Sequence, residues 1–128
     1  MRSRILCISG QEQNARELAA MLHSLPLLLE HVGSLQQARA ELGKHEYDVV
    51  LTEAHLTDGD WLDVLHLARE VPHELAVVVT DRQADASLWS RALNLGVYDV
   101  LPQPFEEREV RRILQNACTR IERHMTAV

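Results

Sequence analysis

The chain is nearly without lysine. Of its thirteen basic residues twelve are arginine, and Lys44 is the single lysine. Any chemistry that needs an ammonium group must therefore use Lys44 or do without. Long apolar runs are missing too. None approaches the ~18 residues of a membrane span, and the N-terminus lacks the charged-then-apolar layout of a signal peptide. Two cysteines, Cys7 in an apolar run and Cys118 in a helical pattern, do not make a disulfide framework. A reducing cytoplasm is the simplest location. There is no internal repeat, low-complexity segment or linker. The net charge of −6 argues against non-specific nucleic-acid binding by this domain alone.

What is present is ordinary for a globular protein: 128 residues, 46% apolar and 25% charged. Residues 1–128 are expected to form a single domain around one sizeable core. Short apolar runs alternate with helical patterns. Ile5-Leu6-Cys7-Ile8, ended by Ser9-Gly10, is a buried-strand pattern. Residues 12–24 place Ala15, Leu18, Ala19 and Leu22 on one helical face, and Pro26 ends that helix. Leu27 to Val32 is a second strand. Ser34 caps a helix carrying Leu35, Ala38 and Leu42, which Gly43 closes. Tyr47 to Thr52 is the third strand, and residues 59–70 form a helix burying Leu62, Leu65 and Ala68. Ala76-Val77-Val78-Val79 is the strongest strand, because consecutive valines favour a sheet. A helix over 84–95 ends at Gly96, Val97 to Leu101 is a fifth strand, and a last helix runs over about 106–125.

Repeated strand-then-helix units in so short a chain predict an α/β fold, a parallel sheet with helices on both faces. In a doubly wound sheet, ligands sit at the carboxyl ends of the strands. Ser9, Gly10, Glu53, Thr80 and Gln103 end strands or follow them, so they are the candidate site.

In these residues the chain resembles, over essentially its whole length, the receiver domain of two-component response regulators. The resemblance implies a five-stranded parallel sheet, (βα)5, in the order 2-1-3-4-5. The family's first strand ends in acids that hold magnesium, and here that place reads Ile8-Ser9-Gly10-Gln11. Its third strand ends in a phosphoaccepting aspartate, and the run Leu51-Thr52-Glu53-Ala54-His55-Leu56-Thr57-Asp58-Gly59-Asp60-Trp61 puts Glu53 there. Thr80 in VVVTD matches the family's threonine or serine. Gln103-Pro104-Phe105 matches its lysine-proline-phenylalanine, for which the resemblance implies a cis peptide between Gln103 and Pro104. Gly96-Val97-Tyr98-Asp99 follows its Gly-Ala-x-Asp pattern.

The departures set the functional expectation. Magnesium usually takes one or two carboxylates, and Ser9 and Gly10 supply none. The lysine position is Gln103, and Lys44, at a helix end, cannot replace it. Phosphotransfer is not expected, nor are a metal, a cofactor or catalysis. Glu53 stays open to three readings: a mimic of a phosphorylated aspartate bonded by Thr80, a remnant pointing into water, or a contact for an unknown ligand. A mimic would be incomplete, because a phosphoryl group brings about −1.5 to −2 charges and three acceptor oxygens.

Thr57-Asp58-Gly59-Asp60 is expected to be turn and cap chemistry rather than a metal pair. Trp61 either covers the pocket mouth or forms a surface contact. His55 and His66 are expected to be solvated or packing residues, and Cys7 a small core residue. The family's aromatic switch position is Val100, with Tyr98 expected on the same strand face. In the last helix Val110, Ile113, Leu114, Ala117, Ile121 and Met125 form an apolar stripe. Glu106, Glu107 and Glu109 near its start and Arg120 and Arg123 near its end suit the helix dipole. The second half of the stripe is expected to outrun its own domain, joining a dimer seam or leading into an output domain.

The expected function is an atypical receiver in bacterial signalling, a phosphorylation-independent interaction or dimerisation module regulating an output such as transcription. Its partner, protein or second copy, would dock through the fourth helix, fifth strand and last helix. No nucleic acid or membrane contact is expected. The alternative is a vacated pocket that senses a small ligand or keeps weak phosphorylation.

Overall fold

The structure, a computed structural model, describes residues 2–126, with side chains as far as Ile121. Five parallel strands form the central sheet: β1 (Ser3–Ile8), β2 (Leu27–Val32), β3 (Val49–Glu53), β6 (Ala76–Asp81) and β7 (Asp99–Pro102), in the order β2-β1-β3-β6-β7. This is the expected 2-1-3-4-5 order, with β6 and β7 as fourth and fifth strands. A small antiparallel pair, β4 (His55–Leu56) and β5 (Gly59–Asp60), stands apart from it.

Apart from the edge strand β2, the sheet is buried on both faces because its residues alternate between two cores. Leu6, Ile8, Val50, Val77, Val79 and Val100 face α2 (Leu35–Lys44), α3 (Trp61–Glu70) and α4 (Ala86–Asn94). Ile5, Cys7, Val49, Leu51, Val78 and Leu101 face α1 (Glu12–Met21) and α5 (Glu107–Thr126). The period-two alternation along each strand sends neighbours to opposite layers. Both layers are apolar, so the strands read as continuous apolar runs.

Several local expectations need correction. The α1 helix stops at Met21, and the chain turns through Leu22 to Leu25, where the Leu25 N–H donates to the Leu22 carbonyl at 3.0 Å. That turn, rather than Pro26, ends the helix. Its buried stripe is Ala15, Leu18 and Leu22, with Ala19 exposed at the rim. Ser34 caps α2 by accepting from the Gln37 N–H. Gly43, however, lies inside α2, and among the described residues only Gly96 has a positive φ, 102°. A glycine marks a helix end where a left-handed residue is needed. Gly96 supplies one and Gly43 does not.

Tyr98 precedes β7 and packs on the α1/α5 side, whereas Val100 belongs to the opposite core. The two do not share a face, because Tyr98 lies outside the extended strand whose alternation would have aligned them. Arg120 lies 5.4 Å from the Tyr98 ring centroid.

The apolar stripe of α5 is covered by its own domain as far as it is described. Ala117, Cys118 and Ile121 are all buried, Ile121 to 2% exposure. The eleven steps from Val110 to Ile121 rise roughly 17 Å, close to the ~20 Å of a six-residue strand. Ala117, Cys118 and Ile121 therefore still pack in the core on the α1/α5 side of the sheet. Arg111 secures the packing by donating to the Met21 carbonyl at 3.2 Å and to Ser24 Oγ at 3.0 Å. Arg123 and Met125 fall outside the described side chains.

Candidate functional site

The strand order reverses at β1, which pairs with β2 on one side and with β3 on the other. At such a switch point the connections leave in opposite directions and open a crevice at the carboxyl ends. Ser9 follows β1 there, Glu53 ends β3, Thr80 lies near the end of β6, and Gln103 follows β7. Glu53 and Thr80 are neighbours in register. A cleft of about 230 Å³ is lined by Gln11, Glu53, His55, Thr80, Asp81, Arg82 and Gln103. Arg82 and Gln103 also line an adjoining cleft of about 360 Å³ with Asn14, Glu17, Pro104 and Phe105. The Gln103–Pro104 peptide is cis, as expected.

Ser9 and Gly10 do not line the smaller cleft. Ser9 is buried, and its hydroxyl both accepts from the Gln11 N–H and donates to the Gln11 carbonyl, each at 3.1 Å. That local turn consumes the hydroxyl. The Ser9 carbonyl is bound by His31 Nε2 at 2.8 Å. Gly10 is exposed, and a Cβ there would meet nothing within 4 Å.

Glu53 is half-buried and accepts from Asn14 Nδ2 at 2.6 Å. Thr80 is turned to other partners. Its hydroxyl donates to the Leu101 carbonyl at 2.6 Å and accepts from Gln103 Nε2 at 3.2 Å. The structure shows no Thr80–Glu53 bond, because the β7 end offers Thr80 both a carbonyl and an amide. Across the cleft mouth, an Arg82 guanidinium nitrogen donates to Gln11 Oε1 at 3.2 Å. Beneath, burial pushes the Cys7 thiol up to about 12, with the Glu53 charge adding to the shift. Cys7 is thus an inert core thiol at neutral pH.

The turn after β3 is cap chemistry twice over. Asp60 caps α3, accepting from the Leu62 and Asp63 N–H groups, while Asp63 accepts from the Asp60 N–H in a capping box. Asp58 reaches another helix and accepts from the Leu35 and Gln36 N–H groups at 2.9 and 3.0 Å. Those two bonds hold its carboxyl below the usual carboxylate range. Trp61 is neither lid nor surface contact. It is 5% exposed within the α2/α3/α4 core, with Arg91 5.7 Å from its ring centroid.

Sequence reasoning missed Asn14, Asp81 and Arg82 as site residues. Asp81 and Arg82 directly follow Thr80, so distance along the chain could have pointed to them. Asn14 enters from α1, and nothing local marks it.

The response regulator receiver domain profile matches residues 5–115. This chain belongs to that family. The receiver domain is 31% identical over 99 residues to a probable transcriptional regulatory protein of Sinorhizobium fredii, covering 71% of this chain and 44% of the relative. It is 28% identical over 90 residues to the DNA-binding transcriptional regulator NtrC of Proteus hauseri, covering 70% of this chain and 18% of that protein. The receiver thus spans less than half the length of either relative. Among solved structures, it superposes on a signal receiver domain of an HD domain-containing protein from Pseudomonas fluorescens, with a TM-score of 0.87 at 25% identity, covering 99% and 94% of the two chains. A signal receiver domain from Vibrio parahaemolyticus gives 0.92 at 16% identity, covering 99% and 98%. The receiver domain of the sensor histidine kinase PA1611 of Pseudomonas aeruginosa, with magnesium coordinated in its active-site cleft, gives 0.80 at 24%, covering 93% and 99%.

The positions that the resemblance assigns to magnesium ligands do not supply its donors here. Magnesium needs near-octahedral oxygen donors, usually with one or two carboxylates. Of the places the resemblance assigns to metal ligands, Gly10 carries no side-chain donor and the Ser9 hydroxyl is consumed within its turn. Glu53 already accepts from Asn14, and Arg82 adds a like charge to the same cleft. Among the described residues, no group of three or more His, Cys, Asp or Glu side chains is placed to hold a metal.

Proposed function

We propose that this receiver domain is a phosphorylation-independent protein-interaction module of a bacterial two-component pathway, with Glu53 standing at the phosphoacceptor position. The single observation that carries the proposal is how the strand-end polar groups are used. Glu53 is tied to Asn14, Ser9 to its own loop, and Thr80 to Gln103 and Leu101. None of these side chains is an aspartate nucleophile or a lysine. The domain then acts by contact rather than catalysis. The geometry gives no support to Glu53 as a phosphoryl mimic acting on Thr80, since Thr80 is held by the β7 end.

The contact surface in this proposal is α4, β7 and α5. Leu93 and Leu95, at the end of α4, are 45% and 39% exposed, and large apolar side chains in water are candidates for a covered surface. The occupant is a partner protein or a second copy. The relatives named as transcriptional regulators make a fused output domain and transcriptional control the proposed wider setting, with the cytoplasm as its place. No described helix is long and apolar enough to cross a membrane.

The test is incubation with acetyl phosphate and magnesium, followed by intact mass spectrometry. The expected mass is unchanged. Gain of one phosphoryl group, lost on Glu53→Gln, overturns the proposal.

A further inference from the structure

The strand β2 closes the main sheet on one side, and no strand pairs with its outer edge. Alone among the strands of that sheet it has no fully buried residue. An open edge presents unpaired N–H and C=O groups, which proteins usually blunt with short length, lysine or proline. The opposite edge strand, β7, has four residues and ends in Pro102. β2 has six, LLLEHV, with neither lysine nor proline among them. Its one carboxylate is Glu30, and the His31 ring is turned to the Ser9 carbonyl at 2.8 Å.

The bonds to β1 fix which backbone groups face outward. The Ser3 N–H donates to the Pro26 carbonyl, and the Ser9 N–H donates to the Val32 carbonyl. Backbone groups of successive strand residues point to opposite edges, so the even-numbered residues of β2 face β1. The outward groups belong to Leu27, Leu29 and His31. Pro26 therefore takes nothing from the open edge. Leu27 and Leu29 pack their side chains on the α1/α5 side, whereas Leu28, on the other face, is 37% exposed.

We propose that the β2 edge pairs antiparallel with β2 of a second copy, about a two-fold axis at Leu29, so that one sheet runs through both subunits. The proposal goes beyond the reading of α4, β7 and α5 as a contact surface, because it uses the edge opposite β7. It does not depend on whether the domain is phosphorylated.

The sequence of β2 selects both the occupant and the register. A two-fold antiparallel pair keeps each side chain on its own face, so only residues of equal parity lie opposite one another. Centred on Leu29, the pair sets Leu29 against itself and Leu27 against His31. Every outward N–H and C=O of the strand then finds a partner. On the other face Leu28 lies opposite Glu30, whose methylenes cover it. Centring on Glu30 would set two carboxylates directly opposite, which is destabilising. Centring on Leu28 would carry His31 past the end of the opposing strand. The edge is thus complementary to itself, as a closed two-fold dimer requires.

Sedimentation equilibrium of the purified protein, with no phosphoryl donor present, tests the pairing. The expected result is a monomer–dimer equilibrium. Leu28→Glu sets like charges opposite each other at both symmetric contacts and should raise Kd roughly tenfold. Adding Glu30→Lys makes those contacts attractive and should return Kd to near the wild-type value. Residue-resolved hydrogen exchange supplies a second readout. The amides of Leu27, Leu29 and His31 should exchange faster on dilution, while those of Leu28 and Glu30 stay unchanged. A single monomeric species at the highest soluble concentration overturns the proposal. So does a dimer indifferent to Leu28→Glu, or one that Glu30→Lys fails to restore. If Leu28→Glu does not fold, exchange decides, and no concentration dependence at Leu27, Leu29 and His31 overturns the pairing.

Discussion

Asn14 and Glu53 lie 39 positions apart and are joined by a 2.6 Å hydrogen bond between α1 and the last residue of β3. The carboxylate is thereby held by its own domain rather than left to the solvent. Hydrogen bonds to charged groups contribute roughly 1.5–3 kcal/mol, and partial exposure here lowers the expectation to about 1–2 kcal/mol. Asn14→Ala and Glu53→Ala should each destabilise by about that amount in urea unfolding. The double variant should lose much less than the sum. Strict additivity would show that the bond contributes nothing in solution.

Asp58 gives a prediction in pH. The Leu35 and Gln36 N–H groups lower its folded-state pKa below the ordinary value of about 3.9. A depressed carboxyl pKa stabilises the fold above the unfolded value, and that stabilisation is lost as pH falls through the folded value. Asp58→Asn removes this contribution. Urea midpoints measured from pH 7 down to pH 3 should converge for wild type and Asp58→Asn toward the acidic end. Parallel curves would refute the assignment.

Trp61 is a core residue, so truncation should be costly. Trp61→Ala is expected to lose about 3–5 kcal/mol, the usual range for an aromatic removed from a core. Guanidinium unfolding followed by far-UV circular dichroism measures it. A loss under about 1 kcal/mol would place the indole at the surface instead.

Ile121 separates two views of α5. Because it is 2% exposed within its own domain, Ile121→Ala should lower stability by about 2–4 kcal/mol. Association measured by sedimentation equilibrium should be unchanged at temperatures where the variant remains folded. A variant with normal unfolding but weakened self-association would return Ile121 to a seam between copies.

The sheet was legible because each strand is an apolar run ended by a polar residue, and strand ends in a parallel sheet share one edge. Glu53, Thr80 and Gln103 therefore fall at one edge, where the cleft opens. The network inside the cleft was not legible. Asn14 is one polar residue among several on α1, and its reach to Glu53 depends on how α1 docks on the sheet. The partner of Thr80 is a backbone carbonyl of another strand, which no side-chain pattern encodes. That Ala117 and Ile121 still pack on their own domain was not legible for a related reason: periodicity shows which residues share a face, not how far the opposing surface extends.

The turn from Asp58 to Asp60 carries a consequence for how this chain tolerates insertion. Asp58 and Asp60 are fastened to the beginnings of α2 and α3, two helices on the same side of the sheet. Between them, a Cβ on Gly59 would come within 2.7 Å of Asp63 Oδ2 and 2.9 Å of Leu35 Cδ2. Surface connections normally absorb an added residue at little thermodynamic cost. Here one extra residue would pull one carboxylate off its helix or slide the two helices past each other. The turn works as a spacer of fixed length, and its three residues set the relative height of α2 and α3 above the sheet.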